Sequence, residues 1–385
     1  MTKAAKQAAE TGAVRAHSLR DRGYYFVFGN HASTRIIEDY FVILKECLQY
    51  CLGETLQVSE EPVPGHWNFY LENFNDKDIA VLRQAKERDA GTRVVCIATE
   101  YLTGGTFNRF KSQNTAHESQ PLSAPPSLSL VMPLRHFLHR RGMLRPIKQS
   151  PFGRPLLAWF RRYKARHMLH HYGDRKEWSY RYNRFLSALP LFNQIWCVDP
   201  AQIQGYLGLI ESHRLWLFPI IPYRDDNKRP ENKPPRRDID FVFTGTMTPY
   251  RNYLVDQLRK KGFSVVASFY DSYIRHSYQT RAKIALHIKQ DPVWSFSSTL
   301  RLHTLLMNSV YVLAESSGLN ARGLPQTPFV HETSSEEFIK TAAEVIRNPD
   351  LPALGSEARE RYIHATRNLR QQAKEELQRM LVNLT

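Results

Sequence analysis

The chain has 385 residues and a formal net charge of +16, from 53 Lys and Arg against 37 Asp and Glu. This length exceeds what one ordinary hydrophobic core organises, so two domains are expected. No apolar run approaches the roughly 18 to 20 residues of a membrane-spanning helix, and the first twenty residues have no hydrophobic centre, so we expect a cytoplasmic protein. The four cysteines lie in apolar patterns without metal-ligand spacing, so neither a disulfide framework nor a metal site is expected.

The region 22–223 is predicted to form an α/β domain that follows a flexible polar segment, 1–21. Tyr24–Phe28 has the composition of a buried strand, and a polar loop leads from it into an amphipathic helix that ends at Gly53. This order of strand, loop and helix is typical of the start of a doubly wound sheet. Further apolar strand patterns occur at 56–58, 67–71, 93–98, 194–198 and 214–218.

A basic insertion occupies 108–178, where fourteen Lys and Arg face three acidic residues. Its arginines alternate with aromatic and leucine residues, a pattern typical of helices with one basic face. Three interpretations stay open: a solvated helical face, a nucleic-acid platform, or a patch that contacts an anionic membrane surface. No zinc-finger, KH or helix-turn-helix signature supports nucleic-acid binding. We therefore favour the membrane surface, which would bring a cytoplasmic protein to the inner membrane.

A Pro-rich polar segment, 224–238, predicts a linker, and a second doubly wound domain is predicted over 239–335. Its first strand is expected at Ile239–Phe243, and a helix is expected to begin with Thr248 as N-cap and Pro249 in its first turn.

The loop between that strand and that helix, Thr244-Gly245-Thr246, is a candidate diphosphate site. Gly245 lets a ligand approach the backbone, while free amides and the positive end of the helix face an anion. Arg251, near the helix start, is placed to add a charge-assisted contact.

Residues 283–317 predict a strand, loop, helix, strand unit, which implies a parallel sheet with a ligand crevice beyond the carboxyl ends of its strands. Ile284–Ile288 is the first strand and Tyr311–Ala314 the second. Between them, Ser297 and Ser298 are expected to cap a helix with leucines at helical spacing. A later strand is expected at 328–330.

This unit resembles the nucleotide-sugar half of GT-B glycosyltransferases, especially the CgeB-like and family-1-like bacterial group. The resemblance is carried by a Ser-x-x-Arg helix start and an apolar strand ending in Glu, with Arg301 and Glu315 in register. Three positions depart from the family pattern. Thr304 replaces a helix Glu that binds the donor ribose, and Ser309 replaces a Gly. Ser297 stands where retaining relatives place a catalytic-site Glu.

The resemblance implies two facing Rossmann-like domains in the GT-B architecture. It implies a nucleotide-diphosphate sugar as donor substrate, no other cofactor, and a glycan or lipid-linked acceptor held by the first domain. The candidate donor-binding residues are Thr244, Gly245, Thr246, Arg251, Lys289, Ser298, Arg301 and Glu315. Plainer interpretations stay open: Arg301 as a solvated helix residue and Glu315 as a strand cap.

A transferase that inverts needs a general base. His31, Glu72, Glu100 and Asp199 are all predicted at the carboxyl ends of first-domain strands, and His31 and Glu100 are the preferred candidates. No carboxylate pair is assigned, because spacing alone does not give their separation.

The tail, 336–385, predicts charged amphipathic helices, the last of which is expected to cross back onto the first domain as in GT-B relatives. The competing functional hypothesis is a non-catalytic basic binding module, with 108–178 holding nucleic acid or another polyanion on a GT-B-like scaffold.

Overall fold

The structure is a computed structural model, and it describes residues 23–28, 34–53, 55–72, 74–103, 105–108, 175–223, 237–268, 272–317 and 323–383. The N-terminal segment, His31, the linker and nearly all of the basic insertion lie outside these ranges. By its contacts the chain divides into one unit of 1–109 with 176–385 and another of 110–175. Both of the sheets described below belong to the first unit.

The first sheet has six parallel strands in the order β2-β1-β3-β4-β7-β8. Its strands are β1 Tyr24–Val27, β2 Gln57–Ser59, β3 Trp67–Leu71, β4 Arg93–Ala98, β7 Gln194–Cys197 and β8 Leu215–Leu217, and a small hairpin, β5 Leu102–Thr103 with β6 Thr106–Phe107, follows β4. Its helices are α1 Thr34–Leu52, α2 Asp76–Arg88, α3 Arg175–Ala188 and α4 Pro200–Leu207. We call these elements the first lobe.

The second sheet has five parallel strands in the order β10-β9-β11-β12-β13. They are β9 Ile239–Thr244, β10 Val265–Ser268, β11 Ala282–His287, β12 Tyr311–Glu315 and β13 His331–Thr333. The accompanying helices are α5 Pro249–Lys260, α6 Ser272–Arg281, α7 Thr299–Met307, α8 Phe338–Val345, α9 Leu351–Ala365 and α10 Arg367–Asn383. We call the elements from β9 to α9 the second lobe.

Each sheet is buried on both faces, as the near-continuous apolar strands predict. In the second lobe one core lies under α5 and α8, and the other under α7 and α9. The strand order in both lobes begins 2-1-3-4-5, so the winding direction reverses between the first and third strands. Ligands of such folds bind beyond the carboxyl ends of the strands at that reversal, which in the second lobe is the gap between β9 and β11.

The last helix leaves the second lobe and packs on the first, as expected. Ala373 and Leu377 of α10 share a core cluster with Leu44 and Leu48 of α1. Leu300 of α7 joins the same cluster. The two lobes are therefore joined by buried apolar contacts as well as by the chain itself.

Two expectations about local structure are wrong. The strand expected at 328–330 is a short 3-10 turn, and the strand begins only at His331, because the N–H groups of Phe329 and Val330 donate within the turn, to the Gln326 and Thr327 carbonyls. The hydroxyl of Ser298, the N-cap residue of α7, makes no capping bond. Ser297 is no cap either, because its hydroxyl bonds that of Ser317 at 2.7 Å.

The Ser that replaces the family Gly occupies a left-handed conformation. Ser309, just after the end of α7, has φ of 52°. Glycine adopts this conformation without strain, and helices commonly end in it. Ser309 therefore holds a backbone conformation that glycine would adopt more readily.

Candidate functional site

The loop after β9 is fixed by the start of α5. Thr248 is the N-cap of α5, and its hydroxyl accepts the Arg251 N–H at 3.3 Å, as predicted. The same hydroxyl donates to the Gln290 carbonyl at 2.8 Å. Pro249 fills the first turn, where its missing N–H costs nothing. The loops after β9 and β11 are thus held side by side at the reversal of the sheet.

Arg251 braces these two loops. It is 6% exposed, and its guanidinium donates to the carbonyls of Ile288, Lys289 and Thr246 at 2.8 to 3.2 Å. Its guanidinium carbon lies 5.1 Å from the centre of the Phe243 ring. A guanidinium bound in this way fixes the shape of the site, and its charge still adds to the positive potential there.

Arg301, in the first turn of α7, lies over the end of β9. Its guanidinium carbon is 5.5 Å from the centre of the Phe243 ring. A Cβ built on Gly245 would lie 2.8 Å from Nη2 of Arg301, so a larger residue there would displace the guanidinium from this position. Its Nε is buried and has no hydrogen-bond partner among the described residues. The Thr-Gly-Thr loop and Arg301 therefore converge on one spot.

Two further buried polar atoms near the start of α7 have no described partner, Nδ1 of His287 and Oγ1 of Thr299. His287 ends β11, and its Nε2 accepts the Ser298 N–H at 3.2 Å. Burial, and then the charges of Arg301 and Arg251, hold the pKa of His287 well below its ordinary value, so the ring is neutral. With Arg301, these atoms offer hydrogen-bonding groups to a ligand at the amino end of α7.

Other predicted donor-site residues are engaged within the fold. Glu315 is fully buried, and its carboxylate accepts the Lys289 N–H at 2.7 Å and the Tyr250 hydroxyl. The Lys289 ammonium donates to the Pro292 carbonyl at 3.2 Å. Thr244 is buried, and its hydroxyl accepts a bond from Gln279 of α6 at 2.9 Å. These residues hold the strand ends in place around Gly245 and Arg301.

Two carboxylates lie at the carboxyl ends of β3 and β4. Glu72 is buried, and its oxygens accept the N–H and hydroxyl of Thr99 at 2.8 and 2.5 Å. Glu100 pairs with Arg181 of α3 at 3.0 Å and accepts a bond from Asn108. Burial, and then the charge of Glu100, raise the pKa of Glu72 to about 7. Glu72, which interacts with the charge of Glu100, therefore has a pKa in the range of a general base.

His31 lies outside the described residues, and Asp199 is a buried N-cap. Asp199 accepts the Ala201 N–H at 2.8 Å and the Tyr101 hydroxyl. Among the described residues no group of three His, Cys, Asp or Glu side chains is arranged to hold a metal ion.

Sequence reasoning missed the contacts that join the lobes at this site. Arg275 of α6 pairs with Asp39 of α1. The Tyr101 ring stacks on Phe296, with centroids 4.1 Å apart, in the segment that leads into α7. A polar helix and an isolated aromatic residue carry no signal in the sequence that names a partner so distant along the chain.

No family model and no curated protein matches the chain. Solved structures resemble it weakly. The glycotransferase of kitacinnamycin is 10% identical with a TM-score of 0.36, covering 94% of this chain and 99% of its own. T4 phage BGT in complex with UDP and Mn2+ is 12% identical with a TM-score of 0.47, covering 93% of this chain and 99% of its own.

TarM is 11% identical with a TM-score of 0.36 and covers 54% of this chain and 46% of its own. At such identities and TM-scores these likenesses assign neither an architecture nor an activity to this chain. The evidence for a function therefore lies in the residues of the site.

Proposed function

We propose that the protein is a glycosyltransferase of GT-B type that moves a sugar from a nucleotide-diphosphate donor, bound by the second lobe, to an acceptor held by the first. The observation that carries the proposal is the position of Arg301. Its guanidinium lies over Gly245 at the amino end of α7. Among the described residues its Nε has no partner, which is the arrangement that an anionic ligand completes.

The site combines two features that bind a pyrophosphate, the free N–H groups at the start of α7 and the guanidinium of Arg301. The first N–H groups of α7 have no intrahelical partner, and the positive end of the helix dipole favours an anion. A cation at that end opposes the dipole. The Asp39 carboxylate interacts electrostatically with Arg301, and a bound phosphate would be a second favourable partner. In the transfer reaction the same groups would stabilise the charge on the leaving diphosphate.

The acceptor would approach from the first lobe. The carboxyl ends of its strands meet the second lobe at the contact between Tyr101 and Phe296. The nearby Glu72 and Glu100 pair is one proposed source of the general base, and His31 is the other. Glu100 is partly exposed and so reachable by an acceptor hydroxyl, whereas Glu72 is buried.

Calorimetry with UDP-, GDP- and CMP-sugars tests the proposal. We expect one donor class to bind, and Arg301→Ala to weaken it by about 10- to 100-fold, the loss of one or two charge-assisted contacts. Arg259→Ala, which removes an exposed cation from the far end of α5, is the matched control and should leave binding unchanged. Absence of binding by the UDP- and GDP-sugars would contradict the proposal, and so would binding of the CMP-sugar alone, because a CMP-sugar carries a single phosphate.

The basic insertion and its membrane role stay predictions, because residues 109–174 lie outside the described ranges. Among the described residues no helix combines the length and apolarity needed to cross a bilayer. We propose that the insertion presents the enzyme to a lipid-linked acceptor at an anionic surface. Binding to vesicles that contain phosphatidylserine, measured at two salt concentrations with and without 109–174, tests this. The alternative, a basic nucleic-acid module, predicts salt-sensitive oligonucleotide binding instead.

A further inference from the structure

Tyr101 of the first lobe packs against, and hydrogen-bonds to, the segment 294–298 of the second lobe, which leads into α7. The Tyr101 ring lies parallel to Phe296, at 17°, and edge-on to Trp294, with centroids 6.1 Å apart. Its hydroxyl reaches both the Asp199 carboxylate and, at 2.8 Å, the Ser297 backbone carbonyl. Tyr101 is buried, so these contacts are shielded from water.

A phenol has one proton to donate, yet Tyr101 faces two acceptors. When Asp199 is ionised, its carboxylate accepts the hydrogen bond from the Tyr101 hydroxyl, because a charged acceptor makes the stronger bond. The tyrosine oxygen then faces the Ser297 carbonyl with no proton between them. When Asp199 is protonated, it donates to the tyrosine oxygen, and Tyr101 donates to Ser297. Only when Asp199 is protonated do both hydrogen bonds, Asp199 to Tyr101 and Tyr101 to the Ser297 carbonyl, have a hydrogen atom.

We propose that Asp199, Tyr101 and the Ser297 carbonyl form a proton-controlled clasp between the lobes, tighter when Asp199 is protonated. Because the clasped segment leads into α7, Tyr101 is also a positioning residue for whatever anion binds beside Arg301. The clasp itself depends only on the contacts of Tyr101 and not on the proposed transferase activity.

The surroundings of Asp199 favour titration near neutral pH. Burial raises the pKa of Asp199 to about 6, although bonds from Tyr101 and the Ala201 N–H oppose the shift. Helix α4 adds the Gln202 side chain, whose amide oxygen accepts the Asp199 N–H at 3.0 Å. The second lobe adds an uncharged carbonyl and a ring from segment 296–297. The titratable groups that face this cluster are Tyr101, Cys197 at the end of β7, and the more distant Glu100 and Glu72.

The direction in which pH changes the strength of the clasp follows from the raised pKa of Asp199. Asp199 has a higher pKa in the folded, clasped protein than its ordinary value, 3.8. The folded state therefore holds a proton that the unfolded state releases between about pH 4 and 6. The clasp is strong below this window and weakens as pH rises through about 6.

Fluorine NMR on protein labelled with 5-fluorotryptophan tests the clasp, with the Trp294 signal assigned by Trp294→Phe. We expect the Trp294 signal to shift between pH 4.5 and 8 with a midpoint near 6. The signal of Trp67, which is buried in β3 of the first sheet, should not follow it. In Asp199→Asn the signal should stay at its acidic position at every pH, because the amide donates to Tyr101 as a protonated carboxyl does and still caps α4.

Three variants test whether the pH dependence of the Trp294 signal comes from the clasp or from another titrating group. Tyr101→Phe keeps the ring and loses the hydroxyl, so its signal should not titrate. Ser297→Ala removes the hydroxyl bonded to Ser317 but keeps the carbonyl, so it should titrate like the parent protein. Glu72→Gln should also keep the titration. A Trp294 signal that does not move, or one that titrates unchanged in Asp199→Asn or Tyr101→Phe, overturns the proposal whether or not the protein binds a nucleotide.

Discussion

The guanidinium of Arg301 occupies the space that a side chain on Gly245 would fill. The nearest approach, 2.8 Å between Nη2 and a Cβ built on Gly245, is closer than real Cβ contacts come. A side chain at position 245 would therefore require the guanidinium of Arg301, 56 positions later in the chain, to move. This relationship joins the turn after β9 to the amino end of α7 and makes them one site.

Gly245→Ala should displace Arg301 and weaken donor binding by about 10-fold, the value of one charge-assisted contact, while the fold persists. Gly208→Ala is the matched control, because a Cβ there meets nothing within 4 Å. Calorimetry with the donor that binds the parent protein measures the effect. Equal affinities for the two variants would separate Gly245 from the binding site.

Tyr250→Phe should lower the free energy of unfolding by about 1 to 3 kcal/mol, because it leaves a buried Glu315 oxygen without the hydroxyl that it accepts from. Urea denaturation measures the change. Tyr253→Phe is the control on the same helix, since Tyr253 is 59% exposed. If both variants unfold at the same urea concentration, the bond between Tyr250 and Glu315 adds nothing to stability.

Stability should fall as pH rises through the titration of Glu72. Its pKa in the folded protein, about 7, lies above the ordinary value of 4.5. The folded state therefore holds a proton that the unfolded state has lost between these values, and the free energy of unfolding declines across that window. Glu72→Gln should remove a decline on the order of 3 kcal/mol. Identical pH profiles for the parent protein and Glu72→Gln would rule out this linkage.

Gly355→Ala should destabilise the protein by about 1 to 3 kcal/mol, although alanine is the better helix former. A Cβ at Gly355 in α9 would lie 2.6 to 2.9 Å from backbone atoms of Ser309, Val310 and Tyr311, which cannot move aside as a flexible side chain can. Glu360→Ala, at an exposed position of the same helix, is the control and gives the change in the free energy of unfolding that alanine causes without close packing. A stabilised Gly355→Ala variant would show that this close packing relaxes freely.

Much of the fold follows from local patterns. The strands beginning at Tyr24, Trp67 and Arg93 have near-continuous apolar sequences because both faces of each sheet are covered. The start of α5 follows from Thr248 and Pro249, whose capping and ring geometry act within one turn. Such features need no information from distant parts of the chain.

The parts of the site that the sequence did not reveal are long-range. Arg251 has the charge of a phosphate ligand, yet three carbonyls at the sheet edge take up its donors. Glu315 likewise accepts from Tyr250, 65 positions away. Residue type indicates which interactions a side chain can make. Which partner it binds depends on the tertiary structure, which brings the strand ends together.

The most direct test of the central claim compares UDP with UMP, or GDP with GMP if the GDP-sugar is the donor that binds, by calorimetry in the parent protein and in Arg301→Ala. If a diphosphate lies against Arg301 and the amino end of α7, UDP should bind the parent protein at least about 10-fold more tightly than UMP, and the ratio should approach one in the variant. A ratio that is the same in both proteins would show that Arg301 does not contact the second phosphate and would contradict the account.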